Sequence, residues 1–232
     1  MESDTQDKKG ISMRNLGIQL APVLLFLVSA PLLAQGWIEY RNIEEGFGVN
    51  FPGEPTVEAI VWQSEYGAAL PAHVYRADTP RGTFSMTVVD YREAERILGE
   101  QATDCPPGAE TCSGTAASTG IGYWRMDMQG SMVYAAAKYL ERDAEVTHFG
   151  WHFLELVEGL QLQLTNPDQS RTFVAIYLHS DRLYILEATV PEGRRGAGLF
   201  QQSMLFLDED GNRIRYERIY HNSAPPPPRV PR

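Results

Sequence analysis

Between Glu145 and Val190 four β-rich stretches follow one another with almost nothing between them. That run constrains the fold more than any other feature of the chain. The stretches are 145–157, 160–165, 171–180 and 182–190. Leu160, Leu162 and Leu164 alternate with Gln161 and Gln163, the period-two pattern of a strand with one face buried. Asn166-Pro167-Asp168 and Ser180-Asp181 are turn formers that separate neighbouring stretches. Connections this short favour antiparallel pairing, as a meander.

The rest of the chain supplies more strands and a few helices. Residues 47–51 (FGVNF) alternate apolar and polar, then stop at Pro52-Gly53. Strands are expected over 57–66 and 70–77, joined near Gly67, and again over 83–91. A short helix is expected over 92–101. Residues 102–120 are rich in Thr, Ala, Gly, Ser and Pro and read as a long surface loop. A strand is expected over 122–127. A helix is expected over 131–142, with Met132, Ala136, Tyr139 and Leu140 on one face. A second helix over 198–208 would present Phe200, Met204 and Leu207, and Asp210-Gly211-Asn212 would lead into a last strand over 214–220. Residues 221–232 hold four consecutive prolines and read as a disordered, extended Pro/Arg-rich tail. The fold class expected is α+β: one domain over 37–220, an antiparallel sheet flanked by a few helices. Hydrophobic residues make up 43% of the chain, enough to fill such a core.

The most apolar stretch is 20–34 (LAPVLLFLVSAPLLA). It holds two prolines and is shorter than the roughly 20 apolar residues that cross a bilayer. With Arg14 ahead of it, it matches the hydrophobic region of an export signal. Reading from Met13 gives the cleaner signal, so 1–34 is expected to be an N-terminal overhang plus signal peptide, with cleavage after Ala34. Leu32, at −3, departs from the small-residue rule. The alternative is an uncleaved protein, membrane-anchored by residues 16–34. Either way the domain is expected to be periplasmic or secreted. The formal net charge is −10, and 1–34 contributes nothing to it, having three acids and three bases. An acidic body argues against nucleic acid and anionic membrane surfaces as partners, so contact with a membrane is expected only through an uncleaved N-terminal segment.

No constellation in the sequence dictates a chemistry. His148 and His152 occur as H-F-G-W-H. On a helix they would share a face and could hold one metal ion. On a strand they lie about 13 Å apart, too far for that. Alternation of Phe149, Trp151 and Phe153 favours the strand, and no third ligand follows, so no metal and no cofactor are expected. Cys105 and Cys112 enclose six residues and lack redox or zinc spacing. In an oxidising compartment they read as a local disulfide, worth about 2.5 kcal/mol in the chain-entropy model. No G-x-S-x-G elbow occurs, and Ser85 reads as an outward-facing strand residue. Glu39, Glu44, Glu45 and Glu54 read as solvated charges. No catalytic residue is therefore singled out. The aromatic set Trp124, Tyr134, Tyr139, Phe149, Trp151 and Phe153 reads as core. Residues 210–232 carry five arginines against two acids, a basic end on an acidic protein that would suit an acidic or aromatic-grooved partner.

The opening F-G-V-N-F-P-G-E-P at 47–55 and the F-Q-Q-S-M-L-F-L segment at 200–207 resemble PsbP-like α/β/α sandwich domains, over roughly 37–220. The chain is also similar to a group of exported proteobacterial proteins. The resemblance implies a PsbP-like sandwich that serves as a non-enzymatic binding or assembly module, with an unidentified protein or small ligand of the cell envelope as partner. It carries no site residue over to this chain. The alternative is a secreted hydrolase with a non-standard active site.

Overall fold

The computed structural model describes residues 36–103 and 123–231. The chain divides into Met1–Ala34 and a compact unit, Gln35–Arg232. The expected export signal, the residues 16–34 of the membrane-anchor alternative, Cys105, Cys112 and most of the expected 102–120 loop lie outside the described residues.

In the described residues ten strands form two sheets. The smaller has the order β1 (Ile38–Asn42), β2 (Phe47–Phe51), β10 (Leu205–Phe206). The larger comprises β3 (Thr56–Gln63), β4 (Ala69–Thr79), β5 (Gly82–Asp90), β9 (Arg182–Val190), β8 (Arg171–His179), β7 (Val157–Thr165) and β6 (Glu145–Leu154), in that spatial order. All neighbours in the large sheet are antiparallel. The expected meander is β6 to β9. It starts at the far edge and returns until β9 pairs with β5, aligning Asp90 with Arg182. Helices α1 (Ala94–Thr103) and α2 (Tyr123–Leu140) lie on the chain between β5 and β6.

The central strands are buried on both faces. On β8, Phe173, Ala175 and Tyr177 enter one hydrophobic cluster and Val174, Ile176 and Leu178 enter the other. The first cluster is covered by the small sheet and by residues of the C-terminal segment: Phe47, Phe51, Phe200, Phe206, Ile214 and Tyr216. The second is covered by α1 and α2 through Leu98, Met132, Ala135, Ala136 and Tyr139. The fold is α+β: a helix layer, a seven-stranded antiparallel sheet and a small sheet.

Four expectations are corrected. Residues 123–127 begin α2 and are not a strand. Asp127 and Ser131, one turn apart, are both fully buried, and Asp127 Oδ1 accepts from the Tyr66 amide at 3.3 Å. Tertiary contacts of this kind override the β propensity of the local aromatics. The helix expected over 198–208 stops after one turn, α3 (Gly198–Gln201), and the chain extends so that β10 pairs with β2. Extension buries Met204, Phe206 and Leu207 together, which the helical face would not. Residues 214–220 form no regular strand, only isolated bridges. The C-terminal residues 221–231 are not a free tail. The Glu217 amide donates to the Pro228 carbonyl at 3.0 Å and the Val230 amide to the Arg215 carbonyl at 2.8 Å. His221 Nδ1 lies 2.7 Å from Glu158 Oε2. The proline run is already extended, so folding it back requires little further loss of chain entropy.

Candidate functional site

The most developed concavity opens on the small-sheet side, at the end of the β8–β9 hairpin. Its volume is about 780 Å³. Five segments wall it: the β1–β2 turn, Arg92 just after β5, the β8–β9 hairpin at Ser180 and Arg182, residues 207–214 after β10, and Arg229 in the C-terminal segment. Ser180 and Asp181 both have positive φ, 49° and 59°, which makes the hairpin tight enough to present the next residue, Arg182. Gly46, with φ of 72°, closes the β1–β2 turn against the Leu207 carbonyl, and a Cβ there would sit 3.3 Å from that oxygen.

Arg92, Arg182 and Arg229 share this cleft with Glu44, Asp208, Glu209 and Asp210. Arg182 Nη2 donates to the Glu44 carbonyl at 2.9 Å. Arg92 Nε donates to Asp90 Oδ1 at 2.9 Å. Burial works to raise the Asp90 pKa, but the Arg92 hydrogen bonds prevail and hold the carboxyl below its usual range. Asp208 organises its own loop: Oδ1 accepts from the amides of Asp210 and Asn212 at 3.1 and 2.8 Å. A guanidinium carries five donors, so Arg182 keeps further donors for an anionic group after engaging Glu44.

Beneath the cleft His179 is buried, with Nε2 2.7 Å from Tyr216 Oη. Its ring stacks at 4.4 Å from Phe206 and 4.9 Å from Tyr220. Burial, with Arg229 and Arg182 nearby, pushes its pKa down to about 3, so it is neutral. A smaller hollow of about 110 Å³ shares Glu44, Arg92 and Arg182 with the cleft and adds His73 and Glu45. His73 Nδ1 pairs with Glu45 Oε1, and Tyr75 Oη donates to Glu45 Oε2 at 2.8 Å. Asn42 Nδ2 donates to Tyr75 Oη at 2.8 Å, and Tyr184 Oη donates to the Glu45 carbonyl at 2.8 Å. Burial and the Glu45 carboxylate push the Tyr75 phenol up, so it acts as donor and not as a phenolate.

Glu45 is thus not the solvated charge that its sequence neighbourhood suggests. Its partner His73 lies 28 residues away, and no linear spacing joins them. Arg182 left a faint mark in the sequence, as the residue after a two-residue hairpin turn. His148 and His152, which would meet at one metal ion only on a helix, lie on β6 opposite Gln163 and Gly159. Their shared face is that of an extended strand, and no group of three or more His, Cys, Asp or Glu side chains suited to a metal occurs among the described residues. Burial, then the neighbouring His148, lowers the His152 pKa. Ser85 on β5 donates weakly to the Glu187 carbonyl at 3.5 Å.

One further expectation is corrected. Phe149, Trp151 and Phe153 are not core: they are 50%, 64% and 44% exposed. β6 is an edge strand, and helix α2 packs mainly on β8, β7 and β9. The basic C-terminal end is partly neutralised within the molecule. Glu155 pairs with Arg213 and, at 3.3 Å, with Arg215 Nε.

No helix among the described residues is long and apolar enough to cross a membrane. No family model and no curated protein matches the chain. Among solved structures, the chain is similar to the cyanobacterial PsbP (CyanoP) of Synechocystis sp. PCC 6803, at 10% identity and a TM-score of 0.41, over 76% of this chain and 95% of that one: a likeness of architecture, from which nothing about a site follows.

Proposed function

We propose that the chain is a non-enzymatic binding module of the cell envelope, and that its cleft takes a small ligand bearing charges of both signs, such as an amino acid or a peptide terminus. The supporting observation is the arrangement of Arg92, Arg182 and Arg229 in one cleft with the acidic Asp208–Asp210 turn. A purely anionic ligand would meet the carboxylates and a purely cationic one the guanidiniums. A ligand with both charges is complementary to both sets. Arg182 is fixed from behind by the Glu44 carbonyl, so little side-chain entropy is lost when it binds.

A secreted hydrolase is the second reading, and it rests on the Glu45–His73 pair, an imidazole oriented as the base of a nucleophile–base pair would be. One set of experiments separates the two. Calorimetric titration of amino acids and dipeptides into Gln35–Arg232 should give binding that Arg229→Ala weakens about tenfold, a loss of about 1.4 kcal/mol. Turnover in an esterase, phosphatase and glycosidase screen that disappears in His73→Ala would overturn the binding-module reading. Export is read from N-terminal sequencing of the protein recovered from the envelope fraction. A chain beginning after Ala34 is expected, and recovery only from the cytoplasm overturns it.

A further inference from the structure

We infer that β6 is a self-association edge, on which a second copy of the chain adds its own β6 to continue the large sheet. β6 ends the sheet, and among the described residues no strand pairs with its outer side. Phe149, Trp151 and Phe153 stand exposed in a row, on the face whose neighbours across the strand pair, Leu162 and Leu160, belong to the core under the helices. Natural edges are usually blunted by charge, proline or a bulge. Beyond Glu145 this strand carries no Lys, Arg, Asp, Glu or Pro. Its irregularity lies at Val146–His148, at the strand's start, and leaves His148–Leu154 in regular register. The opposite edge, β3, carries Glu58 within the strand and follows Pro55.

Symmetry chooses a second copy as the occupant. The regular stretch His148–Leu154 is centred on Trp151. Two copies related by a two-fold axis normal to the sheet therefore pair antiparallel with Trp151 opposite Trp151. Phe149 then stands opposite Phe153, twice, and Gly150 opposite His152, twice. Every exposed aromatic of the strand meets another aromatic on the same face. The glycine leaves room for the imidazole. Any other register that keeps the faces aligned leaves at least one aromatic unpaired. An aromatic side chain brings on the order of 150–250 Å² to an interface. With about half of each exposed, and the backbone edges added, the pairing would bury roughly 1,000 Å² in total, at the lower limit for a specific interface. A dimer with a micromolar dissociation constant is expected.

Sedimentation of Gln35–Arg232 between about 1 and 200 µM reads this directly, since both hydrophobic clusters lie within that unit. A monomer–dimer equilibrium is expected, with the dissociation constant raised at least tenfold by Trp151→Lys and by the milder Trp151→Thr. Val61→Lys, on the other edge of the sheet, should leave it unchanged. Trp151 is 64% exposed, and thermal unfolding of each variant reports whether its fold is retained. A chain that stays monomeric to 200 µM overturns the inference. So does a dimer that survives both Trp151 variants, or one that Val61→Lys dissociates.

Discussion

At the scale of single residues, His179 is a side chain whose environment departs far from its solution chemistry. It is held neutral by burial and by Arg229 and Arg182, with a pKa of about 3 against an ordinary value of 6.5. In the unfolded chain it takes up a proton near pH 6.5, and in the folded chain it does not. Between those values the unfolded state binds more protons, so stability falls as pH drops from about 6.5 toward about 3. Melting temperature followed across that range should show the decline. His179→Phe, which keeps the ring contacts with Phe206 and Tyr220 and removes the titration, should flatten part of it. An identical acid limb in the variant would assign the decline to other groups. No local pattern points to this residue's role, because its partner Tyr216 lies 37 residues further on. Asp127 is the converse case: burial raises its pKa although Ser64 and the Tyr66 amide hydrogen-bond to it. It ties the start of α2 to the β3–β4 turn.

At the scale of elements, the meander is where sequence and structure agree best. Four β-rich strands joined by turns of two, five and two residues leave few alternatives. One position in it is fixed by close approach. Gly159 on β7 faces Tyr177 on β8, and a Cβ there would lie 2.3 Å from Tyr177 Cδ1 and 2.5 Å from the Ile176 carbonyl oxygen. The carbonyl belongs to the sheet ladder and cannot yield. The Tyr177 ring is fully buried, at 6.0 Å from Phe206. Gly159→Ala should therefore destabilise by about 1–3 kcal/mol, read as a lower denaturant midpoint at unchanged slope. An unchanged midpoint would mean that β7 can shift. The elements the sequence misassigned are the ones whose type depends on a distant partner. β10 is a strand because β2 offers it an edge, although Phe200, Met204 and Leu207 have helical spacing.

At the scale of the whole molecule, the two faces of the large sheet are closed by different means. Two helices close one face. Chain from both ends of the domain closes the other, with β1 and β2 from the start and residues 205–220 from the end. The last residues then strap that second layer through the Glu217–Pro228, Val230–Arg215 and His221–Glu158 contacts. Deleting 221–232 should cost about 2 kcal/mol after solvent screening of the exposed pair, and lower the melting temperature by roughly 4–8 °C. A truncated chain that melts with the full one would show that the strap contributes nothing. The cleft is a product of the same closure, because its walls come from the β1–β2 turn, the β8–β9 hairpin, the loop after β10 and the C-terminal Arg229, with Arg92 after β5.

By itself the sequence determined the α+β class, the antiparallel meander and the place of most strands, because alternation and turn chemistry act over a few residues. Only the tertiary structure decided which strand became an exposed edge, since Phe149, Trp151 and Phe153 have the same local pattern whether or not a helix covers them. It also decided which charges meet. Glu45 with His73, and Arg92 and Arg182 with Arg229, are brought together by sheet order and loop packing, and the free energy that selects those arrangements belongs to burial across the whole core.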